Sequence, residues 1–93
     1  MSGQDLMNEL AAKVGLLDTA LRKLGERGRS HAQAERDYRV ALAQKILIER
    51  DKGTPVTIIS DICRGSAEIA AKKFARDCAE TNYDAAKEAI NTY

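Results

Sequence analysis

Tryptophan is absent from this chain, phenylalanine occurs once, and the other aromatics are Tyr38, Tyr83 and Tyr93. A compact single-core globule of 93 residues needs more bulk than that, because small domains bury a modest share of their surface. Thin helices meeting along seams, within or between chains, fit the composition better. Proline occurs once and there are two cysteines and one histidine. A structural zinc site takes about four ligands at characteristic spacing, so Cys63, Cys78 and His31 do not make one. Charge of one sign is also missing, since 15 basic residues stand against 14 acidic ones. No global field therefore draws the protein to nucleic acid or an anionic membrane, and any attraction must be local.

No apolar run approaches the roughly 20 residues of a membrane span. Asp5, Glu9 and Lys13 interrupt any apolar stretch near the start, so no secretory signal is expected. A cytoplasmic location with both thiols reduced and buried follows as the expectation.

What is present is helical periodicity. Leu6, Leu10, Val14, Leu17, Leu21 and Leu24 recur at steps of four, four, three, four and three, an apolar seam on an amphipathic helix spanning 4–25. Ser2 or Gln4 can begin it, with Asp5 and Glu9 set against its positive end. Gly25 and Gly28 then interrupt the pattern, each costing about 1 kcal/mol of helix propensity relative to alanine. A solvated continuous rod is one reading of residues 25–30. The glycines favour the other, a break or bend with Ser30 capping a new helix and Gln33 three residues on as in a capping box.

Ala34, Tyr38, Ala41, Leu42 and Ile46 resume the helical period over 31–52, while Val40, Ala43 and Leu47 make a second apolar face that needs cover. Gly53 and Pro55 end that helix. Val56, Ile58, Ile59 and Ile62 have strand-like side chains, but no second strand exists to pair with them. A short helix over 54–64 is expected instead, its isoleucines plugging the hairpin tip.

Ser66 suits the N-cap of a last helix, 66–93, with Glu68 in its first turn. One stripe on it is Ala70, Phe74, Cys78, Thr81, Ala85 and Ala89; beside it run Tyr83, Ala86, Ile90 and Tyr93. Small residues let axes approach, so this helix is expected to pack antiparallel on 31–52, with Cys78 in the core. The fold class is all-α, one domain: a long antiparallel hairpin, a short tip helix and an N-terminal leucine-seam arm, expected to be oligomeric.

No nucleophile, base and orienting group stand out, so no catalytic residue is assigned and no cofactor is expected. Asp51, Lys52, Gly53 and Thr54 have the residue types of a phosphate loop without its order. His31 reads as a structural histidine. Cys63, beside Arg64 near a helix end, reads as a buried thiol, with a lowered pKa as the lesser alternative. The pairs Glu35 with Asp37 and Asp77 with Glu80 read as solvated faces.

Two basic clusters remain. Arg22, Lys23, Arg27 and Arg29 surround the glycines, and Arg64, Lys72, Lys73 and Arg76 open the last helix. Each has the chemistry to grip phosphates of nucleic acid or a nucleotide. A solvated face or subunit pairing is the favoured explanation, since the last helix turns acidic through Asp77, Glu80, Asp84 and Glu88. Phe74, between Lys73 and Arg76, is the one aromatic within either cluster, too little for the stacking platform of single-strand binders.

Residues 34–93 carry "YRVALAQKILIERDKGTPVTIISDICRG" followed by "AEIAAKKFARDCAETNYDAAKEAI". This pattern of a Tyr-Arg helix, a Gly-Thr-Pro-Val-Thr turn, a segment ending in Arg-Gly and an alanine-rich helix resembles small uncharacterised bacteriophage and prophage proteins. The resemblance implies a phage-type protein in the bacterial cytoplasm and transfers no functional residue. Two functions are expected from these readings. The first is a non-catalytic protein that homo-oligomerises through its helices and binds or blocks an unidentified host or phage macromolecule. The alternative is a nucleic-acid or nucleotide-binding accessory, acting in phage recombination or replication or sequestering a signalling nucleotide.

Overall fold

The computed structural model describes residues 2–92. These form three helices, α1 (Gly3–Asp51), α2 (Val56–Gly65) and α3 (Ala67–Asn91), with no strand among the described residues. Ser2 caps α1 through a reciprocal box: its hydroxyl accepts from the Asp5 amide at 3.1 Å, and the Asp5 carboxylate accepts from the Ser2 amide at 3.3 Å. At about 1.5 Å per residue a helix of this length runs about 74 Å. It therefore sets the long axis, and the backbone of the described residues extends over 77 × 16 × 15 Å.

The expected break at residues 25–30 does not occur, and 4–25 and 31–52 are parts of one helix. Tertiary packing outweighs the local cost of the glycines. A Cβ built on Gly28 would lie 3.3 Å from Tyr83 Cε1, so the bare backbone is what admits the ring. His31 stacks on the same ring at 5.9 Å between centroids, and Lys87 Nζ sits 4.6 Å over it. Arg27 Nη1 donates to the Asn82 carbonyl at 3.4 Å. Ser30 and Gln33 consequently do no capping; Gln33 donates to Asp37 at 2.8 Å along the helix surface.

The two glycines should respond differently to alanine. At Gly25 the nearest atom to a new Cβ is the mobile Arg29 guanidinium at 3.4 Å. Gly25→Ala is therefore expected to raise stability by about 0.5–1 kcal/mol. Gly28→Ala gains the same propensity but must displace the Tyr83 ring, so its net gain is smaller or negative. Urea unfolding of the two variants checks the order.

The turn after α1 is built around Gly53, whose φ of 82° is a left-handed conformation that suits glycine. The amides of Lys52, Gly53 and Thr54 return to the carbonyls of Ile48, Arg50 and Glu49. Glu49 is buried at 7 % exposure. Its carboxylate accepts from Thr54 Oγ1 at 2.8 Å and lies 3.6 Å from both Lys45 Nζ and Lys52 Nζ. The Thr54 hydrogen bond, helped by the two ammonium groups, holds its pKa below the ordinary 4.5. A depressed carboxyl pKa adds stability above the unfolded value, and that stability is lost as pH falls through the folded one. Acid titration below pH 4.5 should thus loosen this turn, and Glu49→Gln should lower stability at pH 7 while flattening that acid limb. Denaturant midpoints at pH 7 and in acid measure both effects.

In α2, Ile59 and Cys63 share one face and are buried. Ser66 links α2 to α3, its hydroxyl donating to the Cys63 carbonyl at 2.9 Å and accepting from the Ile69 amide at 3.4 Å. On α3, the half-buried or buried positions are Ile69, Arg76, Ala79, Tyr83, Ala86 and Ile90, at the seven, three and four spacing of a seam. They run antiparallel to Leu24, His31, Tyr38 and Lys45 of α1, as the Arg27 to Asn82 and Arg76 to Tyr38 contacts show.

The stripe of Ala70, Phe74, Cys78, Thr81, Ala85 and Ala89 faces outward, with Phe74 71 % exposed. Cys78 is an exposed free thiol, correcting its expected place in the core, while Cys63 is fully buried. One neighbouring helix can cover one stripe of α3. The covered stripe brings Ile69, Tyr83 and Ile90, with Ala79 and Ala86 leaving room between them. Of the tip isoleucines only Ile59 is buried; Ile58 and Ile62 remain exposed. Tyr93 lies outside the described residues.

Candidate interaction surfaces

The α1 seam continues in one register along the whole helix: Leu10, Leu17, Leu24, His31, Tyr38 and Lys45 follow at steps of seven. Cover by α3 stops part-way. Its final residues flank Leu16, Thr19, Ala20 and Lys23 through Ala86 and Ala89. Thr92 lines an open groove together with Leu10, Lys13, Val14, Leu16 and Leu17. Leu24 is half-buried in the contact with α3, whereas Leu6, Leu10, Val14, Leu17 and Leu21 are exposed. Met7 and Leu16 are exposed beside them, at 65 % and 54 %. Met7, seven residues before Val14, lies in the seam's own register beside Leu6, while Leu16 falls outside it and periodicity alone passes over it.

The basic clusters are not brought together. Arg27 lies beside Asn82, and Arg76 lies over the Tyr38 ring at 4.6 Å. Eleven residues of α1 separate those two levels, about 16 Å along the axis. In the first cluster Arg22, Lys23 and Arg29 are exposed and form no ion pair among the described residues. In the second, Arg76 is occupied structurally. Its guanidinium donates twice to Asp77 Oδ1, at 2.9 and 3.1 Å, and the Asp77 hydrogen bonds raise its pKa. Lys72 shares a shallow groove with Glu68, Arg36 and Asp37, so acids temper its charge. Lys73 is exposed, and Arg64 sits in the last turn of α2, where a cation suits the helix dipole.

A further apolar area lies at the tip, where Leu47, Ile48, Val56, Ile58 and Ile62 are exposed. The second apolar face of residues 40–47 is its visible signature in the sequence. His31 is engaged with Tyr83. Among the described residues no group of three or more His, Cys, Asp or Glu side chains is placed to hold a metal ion. Among the same residues no helix is long and apolar enough to cross a membrane. Comparison with protein families, with curated proteins and with solved structures finds no match to this chain.

Proposed function

We propose that this chain is a non-catalytic interaction protein, of the bacteriophage type its sequence resembles, that self-associates through α1 and binds or blocks a host or phage macromolecule in the bacterial cytoplasm. The observation that carries the reading is the exposed apolar seam of Leu6, Leu10, Val14, Leu17 and Leu21 on an extended helix. Exposed single leucines need no explanation, but a line of them in the register of an existing helix seam does.

Full burial of a leucine or valine is worth about 1.5–3 kcal/mol, and roughly half of that is still open in the isolated chain. Summed over two copies the gain is of the same order as the association cost of about 4–15 kcal/mol. Association is therefore expected to depend on concentration. Sedimentation equilibrium of the full chain and of a chain lacking residues 1–17 tests the reading. Self-association should be seen in the first and lost in the second, with helicity of the remainder kept. A full chain that stays at 10.2 kDa across the concentration range rejects it.

The exposed and unpaired Arg22, Lys23 and Arg29 favour one second reading, a nucleic-acid or nucleotide-binding accessory. Binding of a labelled oligonucleotide or nucleotide that weakens steeply with salt would support it. Replacing Arg22, Lys23, Arg27 and Arg29 by alanine without loss of such binding would remove this cluster from it.

A further inference from the structure

The self-association just proposed leaves open how two copies meet, and four observations bear on that. First, among the described residues α3 reaches the α1 seam as far as its cap Thr92, which lines a groove with Leu10, Lys13, Val14, Leu16 and Leu17. The seam runs on uncovered to Gly3, about 22 Å of helix. Second, the free stretch continues the register that already holds α3, so a second helix can enter the groove in line with α3 and run in the same direction. Third, the central spacing is symmetric: Leu6, Leu10 and Val14 are each four apart, so reversal about Leu10 exchanges Leu6 with Val14 and sets Leu17 beside Gly3. Fourth, the charges prefer reversal. Asp5 and Glu9 occupy the first part of the arm and Lys13 follows them, within one chain 3.5 Å from Glu9 on an exposed face. In-register parallel pairing would set each charge beside its own copy, whereas antiparallel pairing sets the acidic turns along the mate's half that carries Lys13.

We infer that a second copy of this chain docks antiparallel on residues 3–17, with Leu10 facing the mate's Leu10 and each α1 N-terminus meeting the end of the mate's α3. The inference rests on the self-association reading and adds its geometry. The contact is isologous, so it closes at a dimer and does not propagate. Each arm takes over the role of α3 where α3 stops, giving one two-helix seam along the assembled rod. The basic residues Arg22 and Lys23 then lie just past each end of the overlap, outside the pairing.

Single-cysteine variants test this in a Cys78→Ser background, since Cys63 is fully buried. The variants are Leu6→Cys, Leu10→Cys, Val14→Cys and Leu17→Cys, oxidised with copper phenanthroline and read on non-reducing gels. The mass of the parent Cys78→Ser protein is measured in parallel. Leu10→Cys should give the covalent dimer by itself. Leu6→Cys and Leu17→Cys should not, because axial separations of about 12 and 21 Å exceed the roughly 7 Å between Cα atoms that a disulfide spans. A mixture of Leu6→Cys and Val14→Cys should cross-link. Self-cross-linking of Leu17→Cys would mean parallel pairing and would overturn the inference. Dimeric parent protein with no cross-link at any of these positions would overturn it as well, leaving self-association through another surface. A monomeric parent would overturn both, leaving the arm to a different partner.

Discussion

Leu10→Glu combined with Leu17→Glu is expected to weaken the proposed self-association at least 100-fold and leave the chain monomeric, with far-ultraviolet helicity unchanged. Both side chains are exposed in the single chain, Leu10 at 52 %, so the substitutions remove little from the fold. In the assembly they would place four carboxylates in an apolar seam without partners, and burying even one unpaired charge costs several kcal/mol. Two glutamates on the outer face, Ala11→Glu with Ala12→Glu, should leave the association as it was. Sedimentation velocity distinguishes the three proteins. Equal loss from both sets of substitutions would mean that added charge, and not the seam, is responsible.

The second large effect is expected inside the hairpin. Ile69→Ala should cost about 2–5 kcal/mol, the usual range for truncating a buried isoleucine. Ile69 is 1 % exposed and stands where α2, the Ser66 link and the first turns of α3 meet α1. Few large side chains in this chain are so thoroughly buried, and a rod 16 Å wide has no deeper core to compensate. Loss of that one contact should release the start of α3 and with it α2. Hydrogen exchange should report this as faster exchange over residues 56–76, with the N-terminal half of α1 unaffected. A change below about 1 kcal/mol in urea unfolding would show that the junction is held elsewhere.

The elements of this architecture differ in how readily the sequence discloses them. Helix ends marked by a side chain that satisfies an orphan backbone group are local chemistry: Ser2 with Asp5, Gly53 in its left-handed turn, and Ser66 between α2 and α3 can all be read from a few neighbouring residues. The continuity of α1 through Gly25 and Gly28 is not local. It depends on Tyr83, 55 residues away from Gly28, laying its ring against a backbone that no side chain obstructs. Propensity summed along α1 points to a break because it has no term for that ring.

The choice between the two stripes of α3 has the same origin. Phe74 and Cys78 look as suitable for a core as Tyr83 and Ala86, and only the antiparallel register with α1 decides between them. The leucine repeat of the arm is legible as an apolar seam, yet how far it is covered depends on how far α3 runs beside it, to Asn91 with Thr92 as its cap. The basic residues show the opposite failure. Sequence groups Arg76 with Lys72 and Lys73, while the structure places Arg76 in a bidentate contact with Asp77 over the Tyr38 ring. Spacing reveals that charges are near one another but not which of them are already engaged.

Self-association through the free end of α1 is tested most directly by small-angle scattering of the full chain, which reads mass and maximum dimension from one sample. Two rods of 77 Å overlapping over residues 3–17 should give a particle about 130 Å long with twice the 10.2 kDa chain mass. A particle of single-chain mass and about 80 Å, unchanged as concentration rises, would contradict it.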